Sequence, residues 1–225
     1  MVRALKFTKI DYMRCRKQGR LMILILVIGL FFSKGENNGF LTGLVYTVFV
    51  GSIFINAVFA DFTMHNVGFL LLLPGSAWHR VSGRFIYGIG CEAALCTVYW
   101  LLAAVIRGDL IFMVQSLPIS LAVMLTGIAM ADLQFMTFYL VGEMKSQYAM
   151  ALVRVVFPLC FWIMGFGTLN LIGEENEAGM ALMSVLNWVS ARMALFGILM
   201  FGFVAALTFI SIWISAKVCG KRDYA

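Results

Sequence analysis

Charge is what this chain has least of. Only 12% of its 225 residues are Asp, Glu, Lys or Arg, where soluble domains carry about a quarter. With 62% hydrophobic residues, that scarcity excludes a soluble globular domain and leaves an integral membrane protein. Proline occurs three times and there is no long polar tract, so nothing can form a separate soluble domain. Residues 1–225 read as one membrane domain. Histidine occurs twice, at His65 and His79, and none of the five cysteines sits in a metal-type pair. A metal site needs three or four ligands, so none is expected. Gly-x-x-x-x-Gly-Lys-Ser/Thr is absent, so the chain has no ATP site of its own. His-Glu-x-x-His and Gly-x-Ser-x-Gly are absent too, which argues against metalloprotease and serine-hydrolase chemistry.

What is present is a series of apolar runs. A helix needs about 20 apolar residues to cross the hydrocarbon core. Six candidate spans emerge, at residues 20–32, 39–60, 83–106, 117–141, 150–172 and within 182–216. Ser116 and Pro118 suit the start of the fourth. The fold class expected is therefore all-α, with six transmembrane helices.

The formal charge of +6 follows from topology. Of the 17 Lys and Arg, all but Lys34, Arg107 and Arg192 fall on one side of a six-span arrangement. Positive charge stays inside, so both termini are expected in the cytoplasm and no nucleic-acid partner is implied. Within residues 1–19, Leu5, Ile10, Tyr12 and Met13 alternate with Arg3, Lys6, Lys9, Arg14, Arg16 and Lys17. That pattern predicts an amphipathic helix lying on membrane lipid at the inner leaflet. The alternative is a basic tail that only sets topology.

The inner segment 61–82 is unusual. It is apolar through Leu73, breaks at Pro74-Gly75, and turns basic at Arg80 and Arg84 just beyond. A helix there should end near Leu72, because Pro74 disfavours a helical Leu73. An apolar helix on the cytoplasmic side marks a surface on which a cytoplasmic partner docks.

Two acids, Glu92 and Asp132, fall inside spans. A charge at mid-bilayer costs roughly 2.5–3.5 kcal/mol on insertion scales, so such residues face the protein interior or a cavity. Glu92 shares a helical face with Gly88, Cys96 and Tyr99. Glu92 and Tyr99 either line a substrate path, with the Glu92 carboxylate as a site for a cationic group, or fix helix packing; Asp132 reads as structural. Gly39, Gly43, Thr47 and Gly51 form a small-residue stripe. It serves either a dimer interface or packing within the chain.

The layout resembles the permease subunits of bacterial ATP-binding-cassette exporters of the second type, in their small six-span form. The matching residues are Asp61, Leu73, Pro74, Ser76, Arg80 and Arg84 in the first inner loop, and Gly142 and Lys145 in the second. The basic residue that usually follows the Ser is displaced here to Arg80. The resemblance implies two permease chains, alike or different, around a central pathway in a bacterial plasma membrane. It implies separate ATPase subunits beneath them, which hold ATP and Mg; this chain binds no cofactor. It makes 61–82 a coupling loop that carries a coupling helix, with Asp61, His65, Phe69, Leu70, Leu73, Pro74, Ser76, Arg80 and Lys145 as ATPase contacts. Phe and Met are abundant, 20 and 15 residues, which suits amphipathic cargo such as a peptide or a hydrophobic drug.

Two other classes stay open. A secondary transporter or channel would use Glu92 and Asp132 as ion or proton sites, although no internal inverted repeat is evident. A membrane scaffold would move nothing. The energy source separates them.

Overall fold

A computed structural model describes residues 2–15, 19–33, 39–55, 75–108, 110–141 and 192–222. Among these the chain is helical throughout, except for Gly75, Ser76, Gly108 and Arg192. The helices are α1 (Val2–Cys15), α2 (Gly19–Ser33), α3 (Gly39–Ile55), α4 (Ala77–Arg107), α5 (Leu110–Val141) and α6 (Met193–Arg222). Three of them, α4, α5 and α6, are long and apolar enough to cross a membrane. At 31, 32 and 30 residues each extends roughly 45 Å, well beyond the ~30 Å hydrocarbon core. Shorter apolar helices cover Arg20–Phe32 and Gly39–Ile53. The expected fifth span at 150–172 lies outside the described residues.

Two boundaries differ from the sequence reading. The third span was expected from residue 83, with 61–82 as loop. Instead α4 begins at Ala77, because the Ser76 carbonyl already accepts the His79 and Arg80 N–H groups at 2.9 and 3.2 Å. Arg80 and Arg84 are therefore helical residues. The fourth span was expected to open at Ser116–Pro118, yet α5 begins at Leu110 and Pro118 is an interior residue. Hydroxyls flank the proline. Ser120 Oγ donates to the Ser116 carbonyl at 2.9 Å, and Ser116 Oγ accepts the Trp100 indole N–H at 3.0 Å. Membrane helices tolerate an interior proline more readily than soluble ones do.

α4 ends at Arg107 with Gly108 as its cap. Gly108 has φ +66° and its N–H caps the Ala104 and Val105 carbonyls. Glycine enters this left-handed region without steric cost.

α4 is the hub, packing on each of the other five helices. The face that does so carries Val81, Arg84, Phe85, Gly88, Glu92, Leu95, Cys96, Tyr99 and Ala103, all buried. Their three- and four-residue spacing is helical. One core cluster, at the start of α4, gathers Cys15, Ile55, Val81, Phe85, Tyr87, Phe135, Phe138, Tyr139 and Ala216. A second, toward its end, gathers Phe40, Leu44, Val48, Cys96, Tyr99, Ala103 and Val123. A third joins α5 to α6 through Leu125, Ile128, Ala129 and Val204. The opposite face of α6 leaves Ile198, Phe201, Phe209 and Trp213 exposed, as a lipid-facing surface does.

Candidate functional site

Two places combine burial with polar chemistry. The first is where α1 meets the start of α4. Within residues 1–19, Val2–Cys15 form the helix α1, which turns one face to the protein. Ala4, Phe7, Asp11 and Cys15 are buried, while Leu5, Lys6, Lys9, Tyr12 and Met13 are exposed. The approach is close because Gly83 has no side chain. A Cβ there would lie 2.7 Å from Phe7 Cβ and 2.8 Å from the Ala4 carbonyl oxygen. Thr8 Oγ1 donates to the Gly83 carbonyl at 2.9 Å. One residue on, the Arg84 Nε lies 3.8 Å from an Asp11 carboxylate oxygen, with both side chains about 5% exposed. Arg84 Nη1 also donates to the Tyr139 hydroxyl at 3.3 Å, which ties in α5. Tyr87 completes the contact, packed in one buried cluster with Cys15 and against Cys91.

This clasp escaped the sequence reading, which places Arg84 only among the basic residues at the end of the first inner loop. Two signals pointed to it. Asp11 is the only acid in a segment that is otherwise basic, and Arg84 shares a helical face with Gly88 and Glu92. A buried arginine of this kind needs an acid nearby.

The second place is the middle of α4. Glu92 has no exposed surface. Neither carboxyl oxygen has a hydrogen-bond partner among the described residues. It sits against Gly127 of α5, where a Cβ would come within 3.4 Å of Oε2 and would collide with Val48 of α3. One turn before it, Gly88 packs on the Phe135 ring and Ile55. One turn after it, the Cys96 thiol donates to the Ser120 carbonyl at 3.3 Å. The carboxyl is thus enclosed where α3, α4 and α5 meet.

Tyr99 and Asp132 differ from Glu92 in having partners. The Tyr99 hydroxyl donates to the Phe40 carbonyl at 3.0 Å. Asp132 is 1% exposed and accepts a hydrogen bond from the Thr208 hydroxyl, joining α5 to α6. The three therefore do not form one site.

The small-residue stripe is occupied inside the chain. Gly43 faces the Gly29 carbonyl of α2 and the Tyr99 hydroxyl, while Gly51 faces Leu95. Thr47, with no exposed surface, donates to the Gly43 carbonyl at 2.8 Å and packs on Gly29. Gly39 is half-buried.

Ser76 is exposed at the start of α4, with Oγ 2.5 Å from His79 Nδ1. Arg80 is half-buried one turn on. The other residues expected to contact an ATPase, Asp61, His65, Phe69, Leu70, Leu73, Pro74 and Lys145, lie outside the described residues. No group of three or more metal-ligating side chains occurs among the described residues.

No curated protein and no solved structure matches this sequence. A family model does, described as an ABC-2 family transporter protein, and it matches residues 9–219. That range takes in the clasp from Asp11 onward, the buried acids and α6 as far as Cys219. The chain belongs to the ABC-2 transporter family, as a permease-type membrane subunit.

Proposed function

We propose that this chain forms the substrate pathway of an ATP-driven exporter, paired with a second permease chain and powered by separate ATPase subunits. The family supplies the class, a transporter membrane component. The observation that carries the coupling is the clasp of α1 onto α4. Residues 61–74, the proposed coupling helix, lead directly into α4, and α1 is bolted to its first two turns by Asp11, Arg84 and Thr8. A push on the loop therefore reaches α1 and α5 together, because Arg84 joins both. α1 keeps Leu5, Tyr12 and Met13 outward beside Lys6 and Lys9, a surface suited to the anionic inner leaflet. Both termini are cytoplasmic in this arrangement, in a bacterial plasma membrane. The cargo is an amphipathic peptide or a hydrophobic drug.

A secondary transporter using both buried acids fits less well, since Asp132 already has a partner in Thr208.

The docking surface is tested by placing a charge on it. Phe69→Asp or Leu70→Asp should insert normally into the membrane and reduce co-purification of the ATPase at least tenfold. Wild-type co-purification and unchanged ATP-driven transport would remove the coupling helix from the account.

A further inference from the structure

The geometry points to Glu92 as the residue that recognises positive charge on the cargo. This rests on the exporter reading and adds a substrate class to it: amphipathic cations.

A buried carboxyl in a membrane protein has three ways to be satisfied. It can pair with a cation of its own chain, hydrogen bond to a neighbour, or wait for a partner that comes and goes. Arg84 and Asp11 show the first, and Asp132 with Thr208 shows the second. Glu92 has neither among the described residues. Arg84, on the same face of α4, stands eight residues away, roughly 12 Å along the axis, and is engaged with Asp11 and Tyr139.

Gly127 and Gly88 put no side chain of their own beside the carboxyl or one turn before it, and in this conformation Val48 and Phe135 fill that space. The walls are apolar: Val48 beside Gly127, and Phe135 and Ile55 against Gly88. An apolar enclosure with one acid matches a molecule that is mostly apolar and carries one cationic group. In a low-dielectric setting that charge pair is strong, and a neutral or anionic molecule of the same shape gains nothing from it. The enclosure is shut in this conformation, so the cargo reaches it when α3 and α5 part at the Val48–Gly127 contact. Cargo binding and the helix movement that an exporter needs are thereby the same event.

The test uses two probes of matched size and shape and opposite charge, tetraphenylphosphonium and tetraphenylborate. Saturable binding to the full chain in nanodiscs is measured against empty nanodiscs. Wild type should bind the cation saturably and, in a separate measurement, show no saturable binding of the anion. Glu92→Gln, which keeps the shape and removes the charge, should weaken cation binding at least tenfold. Glu92→Asp should retain most of it. Wild-type affinity in Glu92→Gln, or no saturable cation binding by wild type, overturns the assignment. Transport in the same preparation with its ATPase separates the two levels. ATP-driven transport indifferent to Glu92→Gln sinks the assignment and leaves the exporter. Glu92-dependent binding with transport that needs no ATPase keeps the assignment and sinks the exporter.

Discussion

Arg84→Ala should destabilise the protein by about 3–5 kcal/mol, the usual cost of stranding one member of a buried ion pair. Asp11, 4% exposed, would lose its contact with the Arg84 guanidinium, and the Tyr139 hydroxyl would lose a donor. The damage should centre on α1. Its other holds on α4 are the Thr8 hydrogen bond, the Phe7 packing and the Tyr87–Cys15 contact. Trypsin should then cut at Lys6 and Lys9 much faster than in wild type, and denaturant unfolding in detergent should shift to lower concentration. The double variant Asp11→Leu with Arg84→Met should recover most of the loss. Replacing both members of a buried pair with apolar groups is often close to neutral. Equal trypsin sensitivity in wild type and Arg84→Ala would show that the clasp does not hold α1.

Gly43→Val should be nearly as costly, about 3 kcal/mol, through overpacking. A Cβ at Gly43 would collide with the Gly29 carbonyl and the Tyr99 hydroxyl. The carbonyl is backbone and cannot rotate away, so α2 and α3 would have to separate. Tyr99 would also be displaced from the Phe40 carbonyl it bonds at 3.0 Å. Gly90→Ala is the control. Its Cβ would meet nothing within 4 Å, and its effect should stay within about 0.5 kcal/mol. Thermal unfolding of the two variants in detergent reads the contrast. Equal midpoints would mean that α2 does not pack on α3 at this point.

The sequence made the helices legible where polar residues flank a compact apolar run. Residues 20–32 sit between the basic N-terminal segment and Lys34, and α2 covers Gly19–Ser33. Boundaries blurred where a helix carries signals of its own ending. Pro74-Gly75 and the basic residues after it read as loop, yet α4 starts at Ala77. Pro118 read as a helix start because its cost in a helix interior is high, and the hydroxyl bonds that flank it are visible only in the fold.

The candidate site was half legible. Glu92 and Asp132 stood out as charges in apolar runs, which is a local signal. Their difference depends on Thr208, 76 residues from Asp132, and no local pattern announces such a partner. The clasp is the same case: Asp11 and Arg84 are far apart in the chain, and each alone looks like part of a charged surface. The stripe from Gly39 to Gly51 could have faced a partner chain or its own. Gly29 and Tyr99, on two other helices, decide that at Gly43 and Thr47.

The central claim is that a separate ATPase drives this chain through α1 and the start of α4. The direct measurement is accumulation of a fluorescently labelled amphipathic peptide in inside-out vesicles that contain this chain and its ATPase. Replacing the ATPase's catalytic glutamate with glutamine should abolish accumulation, while an uncoupler should leave the wild-type complex active. Accumulation that persists without the ATPase and collapses with the uncoupler would contradict the account.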